Sequence, residues 1–207
     1  VVVVDVGGAT TDVHSVVEVD PETGDLDRGG LSREVVATTP VTRTVEGDLG
    51  MRWSAVATAA AAELDDLREA AERRTAEPGF VPTTDAELEE DERLAGAAAG
   101  LALRRHAGRS RVVVSPEGRV VERSGKDLRE VRLLVGSGGV LRHGRPGVAE
   151  RVLGPSTGAH LEGGWQLPEH PVVVVDTDYG LAAVGVLADE TPDAAYRLAL
   201  TLLDPGV

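Results

Sequence analysis

Two strand-like runs meet across a bend of a few residues at the very start of the chain, and this limits the folds open to it. Val1-Val2-Val3-Val4-Asp5-Val6 is a continuous apolar run suited to a strand buried on both faces; Gly7-Gly8 ends it, and the partly alternating run Asp12–Val19 follows at once. A doubly wound dinucleotide-binding sheet places a helix after its first strand, and Gly7–Thr11 leaves no room for one. The first two strands therefore read as a hairpin-like pair, closed by the turn signal Asp20-Pro21-Glu22-Thr23-Gly24-Asp25 and followed by a third β-rich segment over about Glu34–Val45.

The pattern then changes to an Ala-rich helix from Met51 to about Arg74, stopped by Pro78-Gly79 and Pro82. Thr84 and Glu87 form a capping box that opens a second helix reaching about His106, with acids in its first turns and Arg104-Arg105 at its end. Together these make a helical insertion over about 51–107. Next come a β-hairpin around Pro116-Glu117-Gly118, a buried strand Glu130–Val135 ending in Gly136-Ser137-Gly138-Gly139, and a short helix or turn to about Leu153. Residues 154–170 read as a loop, Pro171–Asp176 as the last strand, and the segment after it as a helix with an amphipathic tail to about Leu203. An antiparallel opening meander followed by strands joined through helices predicts an α/β fold with a mixed, ribonuclease-H-like sheet.

Composition narrows the function classes. With 207 residues and 42% hydrophobic content the chain can bury the core of one compact domain. A net charge of −14 argues against a nucleic-acid or anionic-membrane surface. No run of eighteen apolar residues and no signal peptide is present, which predicts a soluble, cytoplasmic protein without a membrane span. Absence of cysteine rules out disulfides and thiolate metal sites. The five histidines lack paired spacing, so a metal site built from them is not expected. An opening inside an apolar strand, with no Met, predicts a piece of a longer protein.

The most informative segment is Asp5-Val6-Gly7-Gly8-Ala9-Thr10-Thr11-Asp12. A Gly-Gly bend between core strands lets backbone N–H groups converge on an anion, because no Cβ blocks the approach. Thr10 and Thr11 add hydroxyl donors, and Asp5, at the carboxyl end of its strand, is placed to hold a magnesium ion through water or to orient a water beside phosphates. An ordinary β-turn with a solvated Asp is the plainer reading; the acid before the bend and the threonines after it favour anion binding. Gly136-Ser137-Gly138-Gly139 fails as a dinucleotide fingerprint, since Leu141 stands where the third Gly belongs, but it can let a nucleoside lie flat against backbone.

Other features leave two readings each. Glu46-Gly47-Asp48-Leu49-Gly50 either approaches the ribose or phosphates or supplies an N-cap through Asp48. The small residues Gly180, Ala182, Ala183 and Gly185 suit close packing of the last helix on a counterpart helix or on its own sheet. The acidic run Asp85–Glu92 reads as a solvated helix face or a docking surface, and Trp53 and Trp165 as core or loop anchors.

Taken in order, DVGGATTDVHSV, TVEGDLGMRWSA, LLVGSGGVLRHG and DTDYGLAAVGVL resemble the C-terminal half of the MutL or GlmL accessory family of coenzyme-B12-dependent glutamate mutase, unrelated to the mismatch-repair MutL. The resemblance covers nearly the whole chain. It implies an actin-like ATPase of the actin, Hsp70 and hexokinase superfamily, in which two similar domains clasp ATP and Mg2+, with residues 1–207 as the second of them. It further implies that Asp5 faces the metal, that Gly7, Gly8, Ala9, Thr10 and Thr11 meet the β/γ-phosphates, and that Gly136, Ser137, Gly138 and Gly139 meet the adenosine. The implied role is a chaperone-like reactivating factor whose partners are the mutase subunits and the N-terminal domain. The superfamily's first phosphate loop has no equivalent here, so hydrolysis would require that N-terminal half. Two alternatives stand beside this: an ATP-dependent hydantoinase or oxoprolinase subunit, whose phosphate loop reads much like DVGGATTDV, and a non-hydrolysing interaction module.

Overall fold

The computed structural model describes residues 1–17, 39–115, 118–159 and 162–201. The turn at 20–25, residues 34–38 of the third β-rich segment, the turn residues Pro116 and Glu117, and the chain beyond Thr201 lie outside the described residues. The fold is α/β, built on a mixed five-stranded sheet with spatial order β3-β2-β1-β6-β7. Strands β1 (Val2–Val6), β2 (Thr11–Val16) and β3 (Val41–Glu46) form the antiparallel meander that the short bend requires. Strands β6 (Leu133–Ser137) and β7 (Val172–Val175) then add parallel to β1. Gly136 and Ser137 belong to β6 itself, so the bend after this strand begins at Gly138 rather than at Gly136. The cause is pairing with β1, which runs through Val4↔Gly136 to Asp5↔Ser137.

Helix α3 (Asp85–His106) covers one face of the meander. Its capping box is made as the sequence predicts, with the Thr84 hydroxyl accepting from the Glu87 N–H and the Glu87 carboxylate accepting from the Thr84 N–H. Leu94, Ala98, Ala102 and His106, spaced by four, are buried along with Ala95, Ala99 and Leu103, and this Ala-rich stripe lets the helix approach the sheet closely. Opposite it lie Val2, Val4, Val6, Val13 and Leu134, all buried. The rest of the chain supplies α1 (Ala55–Ala61), α2 (Arg68–Ala76), the ribbon of β4 (Arg109–Ser115) with β5 (Gly118–Ser124), α4 (Gly139–His143), α5 (Val148–Leu153), α6 (Gly180–Ala188) and α7 (Pro192–Thr201).

Two expected helices are each divided. The Met51–Arg74 helix breaks between α1 and α2, where Glu63 takes a left-handed φ of 56° and Leu64 N–H turns back to the Ala59 carbonyl. The final helix ends at Ala188 and restarts at Pro192, a residue that cannot supply the N–H needed to continue a helix but suits a first turn.

The acidic run is not a uniformly solvated face. Asp91 and Glu92 are 3% and 5% exposed, because this turn of α3 points at arginines from other elements. Glu92 accepts paired hydrogen bonds from Arg145 and Arg151, tying α3 to the segment that carries α5. These two guanidiniums, Arg151 first, hold the Glu92 carboxyl down at about 2.

His106 closes the polar end of the same interface. Its Nδ1 lies 2.9 Å from the Thr44 hydroxyl and its Nε2 lies 2.8 Å from the Ser15 hydroxyl. Burial, reinforced by the nearby Lys126, pushes the imidazole down from 6.5 to about 4. The unfolded chain takes up this proton first, so stability is full above about pH 6.5 and falls as the pH drops toward about 4. Urea unfolding between about pH 6.5 and pH 5, above the range in which Glu92 contributes, is expected to show the slope in the wild type and to lose it in His106→Gln.

Candidate functional site

The carboxyl ends of β1, β6 and β7 lie side by side, and a lateral row of polar side chains marks them. Asp5 stands opposite Asp12 on β2 and opposite Ser137 on β6. Continuing the β6–β7 register by one residue sets Ser137 beside Asp176, whose N–H donates to the Gly136 carbonyl at 2.9 Å. Asp5 is exposed at its strand end, and partial loss of hydration among the neighbouring strands pushes its carboxyl up; Asp12 and Asp176 push the same way, while a hydrogen bond from Ser137 opposes them. Such a carboxylate gains from a cation beside it.

The other acids of the row are already engaged. Asp12 accepts from Arg43 Nε at 3.0 Å, Arg43 Nη2 at 2.6 Å and the Thr10 hydroxyl at 3.2 Å. Asp176, 2% exposed, accepts from the N–H groups of Gly180 and Leu181 at 2.7 and 3.1 Å and so holds the start of α6. Among the described residues no group of three His, Cys, Asp or Glu could hold a metal by itself. One carboxylate with a polar surround suits Mg2+ that arrives with phosphate ligands and keeps most of its water.

The bend after β1 has a defined polarity. Gly7 N–H donates to the Thr10 carbonyl at 2.9 Å, closing the turn. The carbonyls of Gly7, Gly8 and Ala9 are taken in succession by Met51 N–H at 3.0 Å, Arg52 N–H at 2.8 Å and the Ser54 hydroxyl at 2.7 Å. Their anion-repelling ends are thereby turned into protein, while the amides of Gly8, Ala9 and Thr10 have no protein acceptor among the described residues. Gly50 makes this contact possible: a Cβ there would sit 2.6 Å from the Ala9 carbonyl carbon.

The segment Glu46–Gly50 therefore buttresses the bend from behind. Asp48 caps no helix, since α1 begins after Ser54; its carboxylate is instead bonded by Arg105 at 2.6 and 2.8 Å, with Glu46 bonded to the same guanidinium at 2.7 Å. Thr11 is fully buried and its hydroxyl donates to the Leu49 carbonyl at 3.0 Å, so its side chain anchors the bend to this buttress. Trp53 packs its ring against Gly8 and is 64% exposed, an aromatic at the rim of the bend. Trp165 is partly buried against the core, with the Arg109 guanidinium stacked 4.2 Å over it.

Gly138, after β6, is the tightest point of the second loop. It adopts φ +109°, and a Cβ on it would lie 2.2 Å from the Val6 carbonyl oxygen. The second bend is thus packed on the last residue of β1, from which the first bend departs. The structure brings Asp5 together with Ser137 and sets Gly138 against the strand that carries the first bend; Gly139 has open space around its Cα. Sequence reasoning did not single out Asp176 or the positioning role of Arg43. The first had a visible signal, since Val172–Asp176 repeats the Val-Val-Val-Val-Asp pattern of Val1–Asp5.

Comparison with known proteins agrees with the motif resemblance. The family model described as MutL protein matches residues 1–203. The curated Protein MutL of Clostridium tetanomorphum is 35% identical over 211 residues, an alignment covering 95% of this chain and 44% of that relative. The chain thus spans less than half the length of the relative it matches. No solved structure matches the chain. With the family model extending over nearly every residue and both strand-end motifs inside it, the chain belongs to the MutL protein family.

Proposed function

We propose that this chain is a ribonuclease-H-like domain of the actin, Hsp70 and hexokinase superfamily, forming one side of a Mg2+–ATP clasp in an accessory factor of a coenzyme-B12-dependent glutamate mutase. The observation that carries nucleotide binding is the polarity of the Gly7–Thr10 bend: three successive carbonyls are bonded to the protein behind it, leaving the following amides for an anion. The strand order β3-β2-β1-β6-β7, with an antiparallel meander joined to parallel strands, supports the fold class. The mutase link rests on the resemblance of the four motifs, and its chaperone-like character follows from the same source.

In this reading Gly8, Ala9 and Thr10 donate N–H groups to the β/γ-phosphates. Asp5 accepts hydrogen bonds from waters of the cation, and Asp12, neutralised and held by Arg43, leaves Asp5 as the carboxylate for it. Asp5 would hold Mg2+ through water, and the cation would supply charge neutralisation for the phosphates. The N-terminal half of the clasp supplies the opposing phosphate loop, so hydrolysis belongs to the two halves together.

Calorimetric titration of the full-length protein with Mg2+–ATP tests this. Wild type is expected to bind, and Asp5→Asn, which keeps shape and removes charge, to bind at least about tenfold more weakly when Mg2+ is present. Equal affinity of the two proteins would contradict the role of Asp5.

A further inference from the structure

A second feature at the same strand ends is unexplained by phosphate binding. Tyr179 has φ 53° and ψ 32°, the left-handed region that bulky residues rarely occupy. Among the described residues only Glu63 is a second non-glycine with positive φ. The strain is held in place by Asp176, which fixes the two residues that follow, Gly180 and Leu181, through their N–H groups. The outcome is an aromatic ring kept 43% exposed at the end of β7. The Arg142 guanidinium lies 4.3 Å over the centre of that ring. The Arg142 N–H donates to the Gly138 carbonyl at 3.0 Å, so the residue that supplies the guanidinium stands one helical turn after the second glycine bend, and its stack on Tyr179 joins that turn to the start of α6.

We propose that the Arg142–Tyr179 stack is the platform for the planar base of the nucleotide. This rests on the proposed function, in which the phosphates occupy the bend after β1. The spacing fits: β1 and β7 are separated by one strand, so the phosphate bend and the platform stand about 10 Å apart across the sheet ends. A guanidinium plane and a phenol ring are surfaces that attract a heteroaromatic face. Stacking reads a π-face and not an edge, so the platform separates nucleotides from bare polyphosphate while accepting adenine and guanine alike. A conformation that exposes an aromatic ring at a backbone position favouring Gly or Asn is expected where a ligand uses the ring.

Tyr179→Gly is the discriminating variant, because it removes the ring and suits the left-handed backbone, so folding is preserved. The probes are Mg2+–ATP and Mg2+–tripolyphosphate, titrated into full-length wild type and variant. Tyr179→Gly is expected to lower ATP affinity about tenfold and leave tripolyphosphate affinity unchanged, with Tyr179→Phe close to wild type. Unchanged ATP affinity in Tyr179→Gly, or an equal loss for both probes, overturns the platform. Wild type that binds tripolyphosphate as tightly as ATP overturns the platform alone, whereas wild type that binds neither overturns the phosphate reading with it.

Discussion

Gly138→Ala is expected to destabilise the protein by about 4 kcal/mol, a large share of the roughly 5–15 kcal/mol that holds an ordinary domain folded. Two effects add. At φ +109° and ψ 162° the residue occupies a region open to glycine alone, where any side chain is strained by about 1–3 kcal/mol. The new methyl also lands 2.2 Å from the Val6 carbonyl oxygen, a backbone atom of the central strand that cannot move without disturbing its neighbours. Gly139→Ala, one residue on, is the matched control. Its added Cβ meets nothing within 4 Å and the residue opens a helical turn, so the change is expected to be neutral or slightly stabilising. Urea unfolding of the pair reads the contrast; equal midpoints would contradict the close packing of Gly138 on Val6.

Asp91→Ala is expected to cost about 3 kcal/mol, because it takes the carboxylate from the Nε of a guanidinium that has no access to water and leaves Glu90 as its remaining charged partner. Arg74 is fully buried, and its Nε donates to Asp91; it also meets the Ala70 and Glu87 carbonyls, the Glu90 carboxylate and the Phe80 ring. Asp91 also accepts from Arg52 Nη2 at 3.2 Å, and the Arg52 N–H is one of the groups that hold the Gly7–Thr10 bend through the Gly8 carbonyl. The same deletion therefore loosens the buttress as well as the helical layer. The double change Arg74→Met with Asp91→Leu removes both charges at once and is expected to be less destabilised than Asp91→Ala alone. Chemical unfolding of the three proteins gives the coupling; a double variant worse than the single one would contradict a buried pair as the source of the loss.

Much of this fold was legible because local signals and global topology agree. The bend after Val6 is too short for a crossover, so the meander followed from residue count, and the Thr84–Glu87 capping box marked the start of α3 without any tertiary information. The elements that escaped depend on contacts between distant residues. Nothing in an Ala-rich run marks Glu63 as a break, and an acidic stretch at helical spacing gives no sign that Asp91 and Glu92 turn inward toward Arg74, Arg145 and Arg151. The site divides in the same way. The Gly-Gly bend and Asp5 were visible as a pattern. The use of carbonyls 7–9 by residues 51–54, the burial of Thr11 against Leu49, and the row from Asp12 to Asp176 arise only when the strands pair.

A structure of the full-length protein with Mg2+ and a non-hydrolysable ATP analogue tests the central claim most directly. Phosphate oxygens are expected within hydrogen-bonding distance of the Gly8, Ala9 and Thr10 amides, with a cation water on Asp5. A nucleotide bound elsewhere, or a bend that stays empty at saturating analogue, would contradict it.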